Sequence, residues 1–513
     1  MINFKPDPTP FRASWKNTIA MGRAYELLRA DAREHLSQVQ TELGFSYCRF
    51  HGLFHDDMAV ARRREDGSVG YQWHQVDKVF DFLLGIGLRP FVELNPMPAC
   101  IASGNDTMFE WKMNITPPAK WKEWGDLVRA FTRHCVDRYG IDEVRRWYFE
   151  VWNEPNLGGF WSGGKEDYWE LYRHAVLAVR EVDAELRVGG PASSKGSWVG
   201  ELIAFCGAED LPIDFVSTHF YPQDMHTEGA DVREGEEGCG FFIRMVKGVR
   251  DEVAASARPD LEIHFTEWNT LYADSPARVS WVDNPSVDDL SGAARVCRIC
   301  SALDDTVDSL CYWTASDIFE ESGLPHSPFS GTYGLIGIHG HPKPNFHAFA
   351  FLNRLRGTRW VPEGLADPTG LQGAVAARDG GVFRVLLWNQ IQPGENQSWS
   401  ETLYLPHPGG TPVVVASRIR DQQGSASQTW HDLGLPHNLS PATERLLAFQ
   451  AQPEVALHPA TPDGEQLTLT FTLQPGEVLL LECESAQPPS LPKGRGRHEI
   501  DLWDRCMNEK SKA

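Results

Sequence analysis

Between residues 15 and 350, eight short β-branched or aromatic runs alternate with amphipathic stretches of helical period. A chain with that rhythm builds βαβ units, whose parallel strands must be covered by helices. The runs are TIAMGRA (18–24), YCRFHG (47–52), RPFVELN (89–95), WYFEVWNEP (147–155), RVGGPA (187–192), FVSTHFY (215–221), EIHFTEWN (262–269) and SLCYWTAS (309–316). Among the intervening segments, Trp121, Trp124, Leu127, Val128, Phe131 and Cys135 recur at i, i+3 and i+4 spacing and make one apolar stripe. The two tryptophans are therefore expected to pack a helix rather than meet a ligand. Eight strands with helices between them predict an α/β fold, a (β/α)8 TIM barrel over 15–350, in preference to an open doubly wound sheet. Neither G-x-G-x-x-G nor G-x-x-x-x-G-K-[ST] follows a strand, so dinucleotide-binding and P-loop readings lack a phosphate cradle.

After Gly357 short alternating runs with Gly, Pro and Asp turns replace the helical period. That change predicts an appended antiparallel β-sandwich over 357–485, which residues 1–14 are free to join. Leu371–Arg378 and Val382–Trp388 around Asp379-Gly380-Gly381 read as one hairpin, and Leu467–Leu473 with Val478–Glu482 around Gln474-Pro475-Gly476 as another. The remainder, 486–513, reads as a Pro, Gly and basic linker followed by one short C-terminal helix.

Charge narrows the partners. Lys and Arg number 48 against 70 Asp and Glu, a formal net charge of −22, which argues against nucleic acid or an anionic membrane. No run of about 18 apolar residues could span a bilayer, and the opening MINFKPDPTP has neither the basic nor the apolar region of a secretory signal. Ten cysteines are scattered from Cys48 to Cys506 without paired metal-type spacing. These features are expected of a protein in a reducing cytoplasm. Cys297 and Cys300 form a C-x-x-C, but a spacing of three sets both on one helix face, where packing explains them. The sequons at Asn114, Asn396 and Asn438 would matter only on a secretory route. Less ordinary are the 18 Trp beside 26 Phe and 12 Tyr, because flat apolar rings suit the flat apolar faces of sugars.

Chemistry in such a barrel sits at the C-terminal ends of the strands. His51 closes the second run, Glu93 and Asn95 the third, Asn153 and Glu154 the fourth, His219 and Tyr221 the sixth, Glu267 and Asn269 the seventh, and Trp313 and Asp317 the eighth. A carboxylate at the end of an apolar strand is desolvated unless it faces a cleft, so several on one rim imply a polar cavity. Glu154 in VWNEP and Glu267 in FTEWN stand on strands four and seven, across the barrel mouth. Paired carboxylates are what glycoside cleavage requires: one protonates the leaving oxygen while the other attacks the anomeric carbon or activates water. Salt-bridged or solvated glutamates are the ordinary alternative, and the aromatic flanks on both motifs weigh against it.

Together these motifs resemble glycoside hydrolase family 39, part of a clan with catalytic glutamates at the fourth and seventh strand ends. The resemblance runs from RFHGLFHDDM (49–58) through NITPP (114–118), WNEPNLGGFW (152–161), THFYP (218–222) and FTEWN (265–269) to ASDIFEE (315–321), and is nearer the family's β-xylosidases than its α-L-iduronidases. It implies a barrel with a β-sandwich, retention of anomeric configuration, Glu154 as general acid/base and Glu267 as the nucleophile that forms a glycosyl-enzyme. A retaining pair lies about 5–5.5 Å apart, so ionised Glu267 is expected to raise the pKa of Glu154. By the same resemblance Asn153 matches the clan's residue that hydrogen-bonds the sugar 2-hydroxyl, and His51, His219, Tyr221, Trp313, Glu320 and Glu321 enter the glycone subsite. Of the two adjacent glutamates at least one is expected to bind hydroxyls; Trp111 and Trp161 are further candidates for the aromatic wall, and Asp56 and Asp57 for shaping a loop. No metal or cofactor is implied. The expected function is an exo-acting β-xylosidase that takes xylobiose and short xylo-oligosaccharides. An α-L-iduronidase-like enzyme would need Lys or Arg beside the glycone, for which only Arg49 and Lys112 lie near the matched motifs. Another β-glycosidase of the clan remains an alternative, while a silent carbohydrate-binding protein would leave the carboxylate pair unexplained.

Overall fold

Every residue of the first run, Thr18–Arg23 (β1), is buried, as befits a strand covered on both faces. It is followed by β2 (Tyr47–His51), β3 (Arg89–Leu94), β4 (Tyr148–Val151), β5 (Arg187–Ser194), β6 (Phe215–His219), β7 (Glu262–Trp268) and β8 (Ser309–Tyr312). Each pairs in parallel with the next, and β8 returns to β1, closing an eight-stranded barrel in a computed structural model that describes residues 1–270, 288–321, 323–325, 327–329, 331–365, 367, 370–390 and 397–486. The expected (β/α)8 barrel is present. Its strands, β5 excepted, stop short of the expected runs because the chain turns out of the ladder into the rim. After β4, for example, Trp152 and Glu154 adopt positive φ of 69° and 44°. Gly189 in β5 is required by close approach, since a Cβ there would lie 2.3 Å from the Phe215 carbonyl oxygen of β6.

The barrel is covered by α1 (Ala30–Leu43), α2 (His74–Gly85), α3 (Trp121–Tyr139), α4 (Lys165–Val182), α5 (Val199–Glu209), α6 (Gly238–Ala255), α7 (Ser291–Leu303) and α8 (Pro344–Leu352). On α3 the expected stripe is the buried one: Trp124, Leu127, Val128, Phe131 and Cys135 face the core, Trp121 is half-buried against it, and the Trp124 indole N–H donates to the Leu171 carbonyl of α4 (3.2 Å). Cys297 and Cys300 lie buried and free on α7. Among the described residues no helix is long and apolar enough to cross a membrane.

Two short two-stranded antiparallel sheets, Ala61–Arg63 with Val69–Tyr71 and Thr107–Met108 with Met113–Asn114, lie in the barrel's loops, and two larger ones pack together outside it. The wide one runs Asn3–Pro6, Thr358–Glu363, Gln372–Asp379, Val382–Asn389, Val478–Ser485, Pro412–Ile419 and Glu454–Leu457, and the narrow one Trp399–Pro406, Gln466–Leu473 and Thr461–Asp463. Ile2, Phe383, Leu403, Leu469, Phe471, Leu479 and Leu481 make a second core between them. The other face of the wide sheet lends Leu386, Trp388, Ile419, Val478 and Leu480 to the barrel core, against α7 and α8.

The first expected hairpin forms, with Asp379 opposite Val382 and Gly380 at φ 57°. The second does not. Gln466–Leu473 belongs to the narrow sheet and Val478–Ser485 to the wide one, so the Gln474-Pro475-Gly476 turn carries the chain between layers. Alternating apolar residues fix which face a strand buries but not its edge partner, and here both strands aim that face at the same core. Two helices, Ser427–Asp432 and Pro441–Gln450, also interrupt a stretch where only strands and turns are expected. A start signal for the second was present, because the Ser440 side chain accepts the Thr443 amide and Pro441 occupies the first turn. It buries Leu447 and leaves Leu446 and Phe449 exposed, so no apolar stripe announces it. Of the linker and helix expected over 486–513, residues 487–513 lie outside the described residues, as do Cys506 and the Asn396 sequon.

Candidate active site

A fully buried arginine organises the barrel mouth. Arg49, in the otherwise apolar β2, donates from Nε to Glu150 (2.6 Å), from Nη1 to Glu267 (2.9 Å) and from Nη2 to Asn153 (2.8 Å), and pairs with Glu93 (2.7 Å). Strands two, three, four and seven thus converge on one guanidinium. Ion pairs this deep leave no group free to move, because a lost partner would strand a buried charge. Burial dominates the titration of Glu93 and pushes its carboxyl up to about 8 despite Arg49, whereas at Glu150 burial is outweighed by the Arg49 charge together with hydrogen bonds from Ser217 and Arg49, which hold it below the usual range.

Both oxygens of Glu267 are held: Oε1 by Arg49 and Oε2 by the Tyr221 hydroxyl (3.0 Å). Glu154 sits opposite at positive φ, its amide donating to the Ala192 carbonyl of β5 (2.8 Å). One carboxyl oxygen from each of Glu154 and Glu267 and a ring nitrogen of His219 all lie within 4.8 Å of one another. That spacing suits direct attack by one carboxylate and leaves no room for an intervening water. The same three groups are close enough to hold a divalent cation, but the Arg49 guanidinium 2.9 Å from Glu267 opposes positive charge there.

Donors arranged in series fix the state of His219. Thr266 donates its hydroxyl to Glu150 (2.8 Å), so its oxygen accepts from His219 Nε2–H (3.1 Å). Burial depresses the ring's pKa to about 4, leaving Nδ1 with a lone pair 3.0 Å from Glu154 Oε1. This contact is a hydrogen bond only when Glu154 carries the proton. Burial likewise raises the Glu154 carboxyl to about 7, with the His51, Arg49 and Lys195 charges opposing. Desolvation is thus the leading cause of the shift that the sequence suggested would come from ionised Glu267.

Among the described residues, His51, Asn153, Glu154, Tyr221, Glu267, Trp313 and Glu321 line one cavity of about 270 Å3. His51 sets Nδ1 against Glu93 (2.9 Å) and directs Nε2 towards Glu267 (3.6 Å) and Glu321 (4.0 Å), while its ring packs 4.6 Å from that of Trp313. Two expected glycone residues do not reach the cavity. His219 stands behind Glu154, fully buried. Glu320 is turned away, its Oε2 taking two hydrogen bonds from Arg23 (2.9 and 2.6 Å) and its amide donating to Glu26 (2.9 Å). Glu321 therefore takes the place left open between the two adjacent glutamates, and burial pushes its carboxyl well above the usual range. Asp57 ties Arg23 from the other side (2.5 Å). Trp161 is buried beside Trp152, and Trp111 stacks against Arg23 and Phe109, so neither lines the cavity; Phe109, Phe160 and Tyr333 supply the rest of the aromatic wall.

Arg49 and Glu150 could have been found by the desolvation argument applied inside β2 and β4 rather than only at strand ends. Phe109, Phe160, Tyr333 and Lys195 reach the cavity from loops, where no period marks them.

Residues 2–466 match the sequence profile of "Glycosyl hydrolases family 39". The chain belongs to that family. It is similar to a "Beta-xylosidase" of Caldicellulosiruptor saccharolyticus (42% identity over 435 residues, 83% of this chain and 86% of the relative) and to one of Geobacillus stearothermophilus (36% over 492 residues, 93% and 94%). In three dimensions it resembles the crystal structure of "a monomeric beta-xylosidase from Caulobacter crescentus CB15", at 30% identity and a TM-score of 0.82, covering 95% of this chain and 99% of the other. As a family 39 member the chain is a glycosidase that acts on carbohydrate with retention of configuration.

Proposed function

We propose that this family 39 hydrolase is an exo-acting β-xylosidase that releases xylose from the non-reducing ends of short β-1,4-xylo-oligosaccharides. The observation that carries the reading is the Glu154–Glu267 pair, within 4.8 Å at its nearer oxygens and walled by a cavity at the small end of ligand pockets. Glu154, protonated by burial and by its contact with His219, gives its proton to the leaving oxygen while Glu267, oriented by Arg49 and Tyr221, attacks the anomeric carbon. In the glycosyl-enzyme the Glu267 charge is gone; Glu154, now ionised, takes a proton from water, and His219 Nδ1 again accepts from it. Asn153, held by Arg49, is placed to meet the sugar 2-hydroxyl, His51 Nε2 and Glu321 other hydroxyls, and Trp313 the apolar face of the ring.

An iduronate glycone fits this site poorly. Every Arg49 nitrogen is committed to protein partners, and Glu321 and Glu267 face the space a sugar carboxylate would enter. Lys112 is not among the residues lining the cavity.

The test is hydrolysis of an aryl β-D-xyloside, with β-xylose as the first product by NMR. In Glu267→Gly, turnover is expected to fall by about 10⁴-fold or more, with azide restoring release of the aryl alcohol while the sugar is captured as α-xylosyl azide; undiminished turnover would remove Glu267 from the nucleophile role. A cytoplasmic setting belongs to the same proposal, supported by nine free cysteines among the described residues. Thiol titration of natively expressed protein that found disulfides would count against it.

A further inference from the structure

The cavity wall carries charges of both signs. Glu267, Glu321 and His51 surround the space for the glycone, and Glu154 stands where the leaving oxygen departs. Leu157, Phe160, Ser194, Lys195 and Asp224 line the same cavity, with Lys195 and Asp224 both near enough to Glu154 to interact with its charge. Lys195 follows the last residue of β5, with its backbone in the left-handed region (φ 62°) and its amide donating to the His219 carbonyl (2.8 Å). Among the described residues no carboxylate lies within 4.0 Å of its ammonium. Asp224 comes nearer than most, but its carboxylate already accepts the Tyr221 amide (2.8 Å). Lys195 is thus a half-buried cation on a cavity wall, felt by Glu154 and by Asp224 yet paired with neither.

We propose that Lys195 determines specificity in the leaving-group subsite, selecting xylo-oligosaccharides whose second residue carries a carboxylate, such as a uronic acid branch, over unbranched ones. The inference rests on the β-xylosidase reading and deepens it. A neutral oligosaccharide gives the ammonium only hydroxyls to bind, whereas a carboxylate gives it a charge-assisted partner in a site partly shielded from water.

The experiment compares kcat/KM for xylobiose with that for xylobiose bearing an α-1,2-linked glucuronic acid on its reducing-end xylose, at one pH and low salt. A third substrate with glucose in place of the glucuronic acid separates charge from bulk. The acidic substrate should be preferred about tenfold over its glucose-branched counterpart, the increment of one charge-assisted contact. Lys195→Gln should reduce that ratio about tenfold, Lys195→Arg should retain most of it, and 0.5 M NaCl should compress it in the unaltered enzyme. Because the readout is a ratio at fixed pH, any shift in Glu154 titration cancels. A ratio near one in the unaltered enzyme, or a ratio unchanged in Lys195→Gln, would overturn the assignment. Failure to cleave any of these substrates or an aryl β-D-xyloside would instead overturn the β-xylosidase reading, and this inference with it.

Discussion

In the proposed mechanism Glu154 performs two tasks whose pKa demands conflict, and its surroundings reconcile them. Burial raises its carboxyl to about 7, so an appreciable fraction still carries the proton needed for leaving-group departure at neutral pH. The sign of the pH dependence follows: kcat/KM should fall as pH rises through about 7, when the acid loses its proton. His219 Nδ1 accepts that proton's hydrogen bond and so favours the protonated form. His219→Phe removes the acceptor and should move the alkaline limb to lower pH, measured from kcat/KM profiles on an aryl β-D-xyloside. A limb that stays in place would mean the ring and Glu154 share no proton.

At the scale of elements, the segment between β8 and α8 carries Trp313, Glu321 and Tyr333 to the cavity, and the interior fastens it at several points. Asn269, just past β7, donates to the carbonyls of both Trp313 and Tyr333. Lys343, at the foot of α8 and fully buried, pairs with Asp317 (2.7 Å) and with Asp288 (2.5 Å), whose other oxygen accepts the Gly331 amide. Lys343→Met would leave two buried carboxyls without their cation. That change should cost about 3–5 kcal/mol, read as a large fall in thermal midpoint, with KM rising as the aromatic wall loosens. An unaltered midpoint would show that the loop is held by other contacts.

The whole molecule depends on the sheets more than a barrel with an appendage would suggest. We propose the division into a barrel over 15–350 and a β-sandwich over 357–485 joined by the first residues of the chain. The two units nonetheless share apolar surface, with Leu386, Trp388, Val478 and Leu480 belonging to the barrel core. Asn3–Pro6 pairs with Thr358–Glu363, so the chain enters the sandwich before building the barrel and returns afterwards. A protein ending at residue 356 would expose that face on α7 and α8 and leave the first strand without a partner. It is expected to aggregate on expression, followed by size-exclusion chromatography; a soluble, fully active truncation would refute the dependence.

How much of this was legible depended on the reach of each signal. Period and strand-end chemistry act within about ten residues, so the eight strands, the α3 stripe and the Glu154–Glu267 pair could be read directly. The second hairpin could not, because Leu467–Leu473 and Val478–Glu482 alternate identically whether they pair edge to edge or face each other across a core. Nor could Glu320 be told from Glu321: adjacent side chains diverge, and the deciding partner, Arg23, lies far away in the chain. The amino-acid sequence by itself determined the barrel, its carboxylate-bearing rim and the family, because these rest on local pattern and residue type. Tertiary structure alone decided that Arg49 gathers four strands onto one charge, that His219 serves Glu154 from behind, and that Lys195 lines the cavity without a carboxylate partner among the described residues. Each of these depends on distances between residues that only the closed barrel brings together.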